Sequence, residues 1–219
     1  MIISPHVKIC CIRDDEEARL AIAMGAAALG LVGAMPSGPG VITDGQIAAI
    51  AKRVPPPVAT FLLTSETDAD QIIAHQQRVN TNTVQIVDAL RLGTYDQIRA
   101  ALPGIRLVQV IHVIDQSSVE EALHIAPHVD ALLLDSGNPT LAVKELGGTG
   151  RVHDWALSRQ IRELSPVPIF LAGGLRPDNV RQAIEAVQPF GLDLCSGVRT
   201  NGQLDPVKLE AFMTQVFNQ

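Results

Sequence analysis

Eight short apolar runs, each followed by a stretch with the helical period, constrain this chain more than any other feature. The runs are Val7–Ile12, Ala28–Val32, Val58–Leu63, Thr83–Val87, Leu107–Val113, Ala131–Leu134, Val167–Leu171 and Gly191–Leu194. The helical stretches are Asp15–Met24, Asp44–Ala51, Ala69–Val79, Tyr95–Leu102, Ser118–Ala126, Trp155–Leu164, Asn179–Val187 and Pro206–Phe217. Short runs without polar alternation read as strands covered on both faces; apolar residues three and four apart read as amphipathic helices. Asp14, Thr43 and Ser117 stand where N-caps belong. No segment is left over for a second domain. Residues 1–219 therefore predict one α/β domain, a (β/α)8 barrel with parallel strands inside and helices outside. An open doubly wound sheet fits the count less well.

Composition agrees. The chain is 47% hydrophobic but only 3% aromatic, so its core is built from Ala, Val, Ile and Leu, as in a buried parallel sheet. A net charge of −6 without a lysine-arginine cluster argues against nucleic acid or a membrane surface as partner. Met1–Cys11 is too short and interrupted to read as a signal peptide, and no run approaches the length of a membrane span. A cytoplasmic protein is expected. The three cysteines, Cys10, Cys11 and Cys195, are odd in number and two are adjacent, which does not suggest a disulfide framework. Each falls at the far end of an apolar run, where a barrel places its chemistry.

Glycine marks the other end-of-strand positions. The run to Leu171 stops at Gly173–Gly174, and the next ends in Cys195-Ser196-Gly197. Glycine lets a ligand approach the backbone, and bare N–H groups before a helix suit a phosphate. The last two strand-ending loops of a barrel often form such a grip, so a small phosphorylated metabolite is the expected ligand. Ordinary left-handed turns are the simpler reading of the same glycines. Two long connections, Gly33–Ile42 and Ser136–Val152, also lie on the C-terminal side of their strands, where ordered loops tend to be functional.

For proton transfer two residues stand out. Cys10 ends the first run, and a thiolate is a competent base. Asp135 ends the sixth, where an apolar barrel mouth can keep a carboxyl partly protonated and able to act as an acid. Simple packing for Cys10 and a loop cap for Asp135 are the alternatives. Cys11, one residue further along a strand, should point to the opposite face and pack in the core.

Five segments, KICCIRD (Lys8–Asp14), LLLDS (Leu132–Ser136), GGTGRVHDW (Gly147–Trp155), FLAGGLRPDNV (Phe170–Val180) and DLCSGV (Asp193–Val198), follow one another in order. Together they resemble phosphoribosylanthranilate isomerase over nearly the whole chain. The resemblance implies an Amadori rearrangement of N-(5′-phosphoribosyl)anthranilate in tryptophan synthesis. Asp135 would protonate the ribose ring oxygen and open the sugar to a Schiff base. Cys10 would remove the C2 proton, and the enolamine would relax to the ketose. Gly148, Thr149, Gly150, Gly173, Gly174, Cys195, Ser196 and Gly197 would hold the phosphate end. No metal or organic cofactor is implied, since the amine nitrogen is itself the electron sink. Relatives occur as monomers and as homodimers.

The chain also departs from that pattern. After strand two the family's arginine for the anthranilate carboxylate is replaced by Gly40. An unreplaced charge-assisted contact of this kind is worth about 1.5–3 kcal/mol, roughly ten- to a hundredfold in affinity. Gln-Leu-His-Gly after strand four becomes Gln85-Ile86-Val87-Asp88, and the strand-five lysine becomes Gln109. Cys195 replaces a serine and Cys11 a glycine. His112, Arg13 and Arg199 are candidate replacements for the lost charge, and His153 is a candidate at the pocket edge. A divergent isomerase or binding protein for a phosphosugar without the carboxylate is the competing expectation. A zinc site on Cys10 and Cys195 is more remote, because no CxxC or HxxxH pattern accompanies them.

Overall fold

Alternation along each strand sorts the side chains into two layers. In the computed structural model, which describes residues 4–137 and 152–217, the strands are β1 (His6–Ile9), β2 (Ala28–Val32), β3 (Ala59–Thr64), β4 (Thr83–Ile86), β5 (Arg106–His112), β6 (Ala131–Asp135), β7 (Ile169–Leu171) and β8 (Gly191–Leu194). They pair in chain order and in parallel, and β1 also pairs with β8, so the sheet closes into a barrel. One parity of each strand (Ile9, Leu29, Leu62, Ile86, Ile111, Leu134) packs outward against the helices. The other (Ala28, Phe61, Val108, Val110, Leu133, Phe170) fills the barrel interior. The helices are α1 (Asp15–Ala23), α2 (Asp44–Ala51), α3 (Ala69–Val79), α4 (Tyr95–Ala101), α5 (Gln116–Ile125), α6 (Trp155–Leu164), α7 (Val180–Val187) and α8 (Pro206–Phe217). Among the described residues no helix is long and apolar enough to cross a membrane.

Local chemistry explains most helix starts. Asp14 accepts from the backbone N–H groups of Glu16 and Glu17, and Thr43 forms a capping box with Gln46. The expected cap Ser117 is displaced by Asp115, whose carboxylate accepts from the Ser117 backbone. A charged acceptor two residues earlier outcompetes a hydroxyl.

Two features differ from the sequence reading. A hairpin of β9 (Arg199–Thr200) and β10 (Gln203–Leu204) precedes α8. At the other end of the closure, β1 stops at Ile9 rather than Ile12. Cys10 N–H donates to the Leu194 carbonyl at 2.9 Å and Ile12 N–H to that of Gly30 at 3.0 Å. Between them Cys11 is left-handed, with φ 63°. That single residue breaks the alternation. Cys11 does not join the outer core as expected; it faces inward beside Cys10, and Ile12 takes the outward place.

Candidate active site

The C-terminal strand ends frame a pocket of about 710 Å3, counting the space open to solvent. Cys10 and Cys11 come from the end of β1, Asp135 from β6, and Asp193 from β8. Gly173, Gly174, Cys195 and Ser196 line it from the loops after β7 and β8, and Met35, Ser37, Gly38 and Pro39 from the long loop after β2. Cys10 and Asp135 thus share one cavity at the barrel mouth. Both are buried, at 6% and 7% exposure.

Burial sets the charge state of Asp135. It raises the carboxyl above the ordinary carboxylate range, against the opposing Ser136 N–H and His112, while Asp193 pushes the same way as burial. Ser136 N–H donates to Asp135 Oδ1 at 2.8 Å, which fixes the carboxyl orientation. Below the pocket floor, Lys8 is fully buried and its Nζ donates to Asp193 Oδ1 at 2.8 Å. Burial alone would lower the Lys8 pKa, but the Asp193 carboxylate and the neighbouring Cys10 outweigh it, so the group is raised and charged. The ammonium also lies 5.2 Å from the centre of the Phe61 ring. Gly30 makes room for this arrangement: a Cβ there would lie 2.8 Å from Cys10 Sγ and 3.0 Å from Lys8 Nζ.

Sequence reasoning did not select Lys8, Asp193 or Gln85 as site residues. Gln85 lines the pocket, and its buried Oε1 has no hydrogen-bond partner. The signal was there in the strand parity. Lys8 and Cys10, Asp193 and Cys195, and Gln85 and Val87 are each two apart, so each pair shares a face.

On the phosphate side, Gly173 has φ 81°, and a Cβ there would come within 2.9 Å of Ser136 Oγ. Asn179 shapes this turn, its side-chain NH2 donating to the Gly174 carbonyl at 2.9 Å. Gly197 does not line the pocket but packs behind it: a Cβ would sit 2.0 Å from the Leu175 carbonyl oxygen. The loops after β7 and β8 are therefore in contact. Gly148, Thr149 and Gly150 lie outside the described residues, as does most of the expected Ser136–Val152 loop.

The candidate cations are placed elsewhere. Arg199 is buried and committed: its guanidinium donates to both oxygens of Glu17, at 2.9 and 3.1 Å, and to the carbonyls of Cys10 and Cys11. It clamps the end of β1 and is not part of the pocket lining. Arg13 reaches back along α1 to Glu17 at 3.4 Å. His112 follows Val110 on the inward face of β5, but its Nε2 is held against the Val87 carbonyl at 3.1 Å, and its Nδ1 is buried without a partner. His153 is not at the pocket edge. Its Nε2 meets Ser158 Oγ on α6 at 2.6 Å, and burial lowers its pKa to about 4. The vacated arginine position has a steric explanation. Gly40 has φ 81°, and a Cβ there would lie 2.5 Å from Cys11 Cβ, so Cys11 occupies the space a side chain would need.

No group of three histidine, cysteine or acidic side chains among the described residues is arranged to hold a metal ion. A carboxyl kept protonated and a thiol, facing one cavity at the C-terminal mouth of a closed parallel barrel, define a (β/α)8-barrel enzyme equipped for acid–base chemistry. The sequence model described as N-(5'phosphoribosyl)anthranilate (PRA) isomerase matches residues 7–215, and the chain belongs to that family. An N-(5'-phosphoribosyl)anthranilate isomerase of Methanosarcina acetivorans is 34% identical over 98% of this chain and 94% of its own length. The crystal structure of phosphoribosyl anthranilate isomerase from Thermotoga maritima superposes with a TM-score of 0.82 at 28% identity, covering 98% of this chain and 100% of that one. A phosphoribosyl anthranilate isomerase in complex with reduced 1-(o-carboxyphenylamino)-1-deoxyribulose 5-phosphate superposes with a TM-score of 0.79 at 26% identity over 98% of this chain and 100% of that one.

Proposed function

We propose that this chain isomerises N-(5′-phosphoribosyl)anthranilate to the carboxyphenylamino-deoxyribulose phosphate, the aldose-to-ketose step of tryptophan synthesis, in the cytoplasm. The observation that carries this reading is the pairing of Asp135, held protonated by burial, with Cys10 in one pocket of a barrel of this family. Asp135 donates its proton to the ribose ring oxygen as the C1–O bond breaks, and the nitrogen lone pair forms the Schiff base. Cys10 then takes the C2 proton, and the electron pair moves towards nitrogen to give the enolamine. Protonation at C1 and relaxation of the enol at C2 complete the ketose. The glycine turns at Gly173–Gly174 and Cys195–Gly197, with Gly148–Gly150, hold the phosphate.

The test follows the loss of fluorescence of freshly generated phosphoribosylanthranilate. Cys10→Ala and Asp135→Asn should each lower turnover by at least ~10²-fold, as expected for general acid–base groups. A near-normal rate in either variant removes that residue from the scheme.

One observation favours a second reading. Cys11 fills the space at position 40, so an aglycone without the carboxylate would lose little there. Turnover of N-(5′-phosphoribosyl)aniline at a rate equal to or above that of the anthranilate would support it.

A further inference from the structure

The pocket wall contains a sulfur pair that the isomerisation does not use. Cys11 Sγ, at the end of β1, and Cys195 Sγ, in the loop after β8, are 2.6 Å apart, and all three cysteines of the chain are free thiols. We propose that Cys11 and Cys195 are a reversible redox pair, closed to a disulfide by a small oxidised thiol that enters the pocket, and that closure loosens the phosphate end of the site. The second half of this proposal rests on the function proposed above.

Geometry carries the first half. A disulfide brings its sulfurs to about 2.05 Å, so the pair has about half an ångström to travel. Both residues line the pocket, and Cys195 is partly exposed, so the route in is the ligand's own. The roles are unequal. The hydrogen bond from Cys11 holds the Cys195 thiol below its ordinary range, against burial and with help from Arg199. Hydrogen bonds to Cys10 and Cys195, with burial added, push Cys11 well above. Cys195 is therefore the attacking thiolate. It attacks one sulfur of oxidised glutathione, whose S–S bond breaks and releases one glutathione thiolate. That thiolate takes the Cys11 proton, and Cys11 sulfur displaces the second glutathione from Cys195. Two protein thiols are oxidised, and one oxidised glutathione becomes two reduced ones.

The consequence follows from what can move. Arg199 grips the carbonyls of Cys10 and Cys11 at 3.2 and 2.6 Å, which fixes the β1 side. The shift falls on Cys195 and Ser196. Gly197 transmits it, because its backbone is pressed against the Leu175 carbonyl, one residue beyond the Gly173–Gly174 turn.

The test incubates the reduced full-length chain with oxidised glutathione, blocks the remaining thiols and digests with trypsin. We expect Ile9–Arg13 linked to Gln182–Arg199, with the link retained in Cys10→Ala and lost in Cys11→Gly. Three blockable thiols, a persistent glutathione adduct on Cys195, or a link through Cys10 would each overturn the pair. In the cross-linked protein the KM for phosphoribosylanthranilate should rise roughly tenfold, the worth of one charge-assisted contact, with kcat little changed. Dithiothreitol should reverse it, and Cys11→Gly should not respond to the oxidant. Binding of inorganic phosphate by calorimetry reads the same grip without turnover. A fully cross-linked sample with unchanged KM or phosphate affinity overturns the gating. An inactive reduced protein that still cross-links and loses phosphate affinity overturns the proposed reaction instead.

Discussion

A carboxyl that must give up a proton near neutral pH needs a reason to have kept it, and for Asp135 the reason is burial at the barrel mouth. The sign of the pH dependence follows. The acid form is the active one, so kcat/KM should fall as pH rises through the raised pKa of Asp135. A profile of kcat/KM against pH for wild type and Asp135→Asn checks this: the alkaline limb should vanish from the variant's residual activity, and a limb that persists must belong to another group. Asp135 was legible in the sequence because a polar residue ended an uninterrupted apolar run. Lys8 was not. A lysine near the start of an apolar run reads as rim, and only closure of β1 against β8 brings Asp193 beside it. Cys11 was misread for a related reason: alternation presumes an extended backbone, and one left-handed residue voids it.

Among elements, the least legible is the short β9–β10 hairpin, whose two-residue strands are too short to show any period. Yet it carries the residue that ties α1 to the end of β1. Glu17 on α1 accepts from Arg199, from Leu204 N–H at 3.0 Å and from Arg13 N–H at 3.1 Å. Burial would raise the Glu17 carboxyl, but Arg199 and the backbone donors outweigh it and hold it below its ordinary 4.5. A depressed carboxylate contributes stability that is complete above its unfolded pKa and is lost as pH falls through its native value. Glu17→Gln should therefore cost about 3 kcal/mol at neutral pH, as for a buried pair deprived of one partner. The gap from wild type should close below the ordinary carboxylate pKa. Urea denaturation at pH 7 and pH 3.5 measures both; a gap that does not change with pH would show that the charge of Glu17 is not what matters.

For the whole molecule, closure of the barrel depends on β1 meeting β8, and that seam contains the one buried lysine among the described residues. Removing Asp193's charge strands an ammonium in the barrel interior. Asp193→Asn should cost about 3–5 kcal/mol, whereas replacing both partners, Lys8→Met with Asp193→Leu, should recover most of it. Chemical denaturation of the single and double variants separates the two outcomes. A single variant near wild-type stability would mean that Lys8 releases its proton instead. At this scale the sequence was most informative, since eight alternations with no remainder leave few ways to close. Which pairs of distant residues closure brings into contact could not be read from any run alone.

The contact between Gly40 and Cys11 also says something about history. Two positions that exclude one another's side chains cannot change independently, so the paths between this chain and relatives carrying an arginine after β2 are ordered. Residue 11 must shrink before residue 40 can grow. Gly40→Arg alone should cripple folding or turnover, whereas Gly40→Arg in a Cys11→Gly background should be tolerated and should lower the KM for the anthranilate substrate. Equal damage in both backgrounds would count against the ordering. If the ordering holds, a thiol in the pocket wall and a charge in the loop were never alternatives open at the same moment; each closed the door on the other.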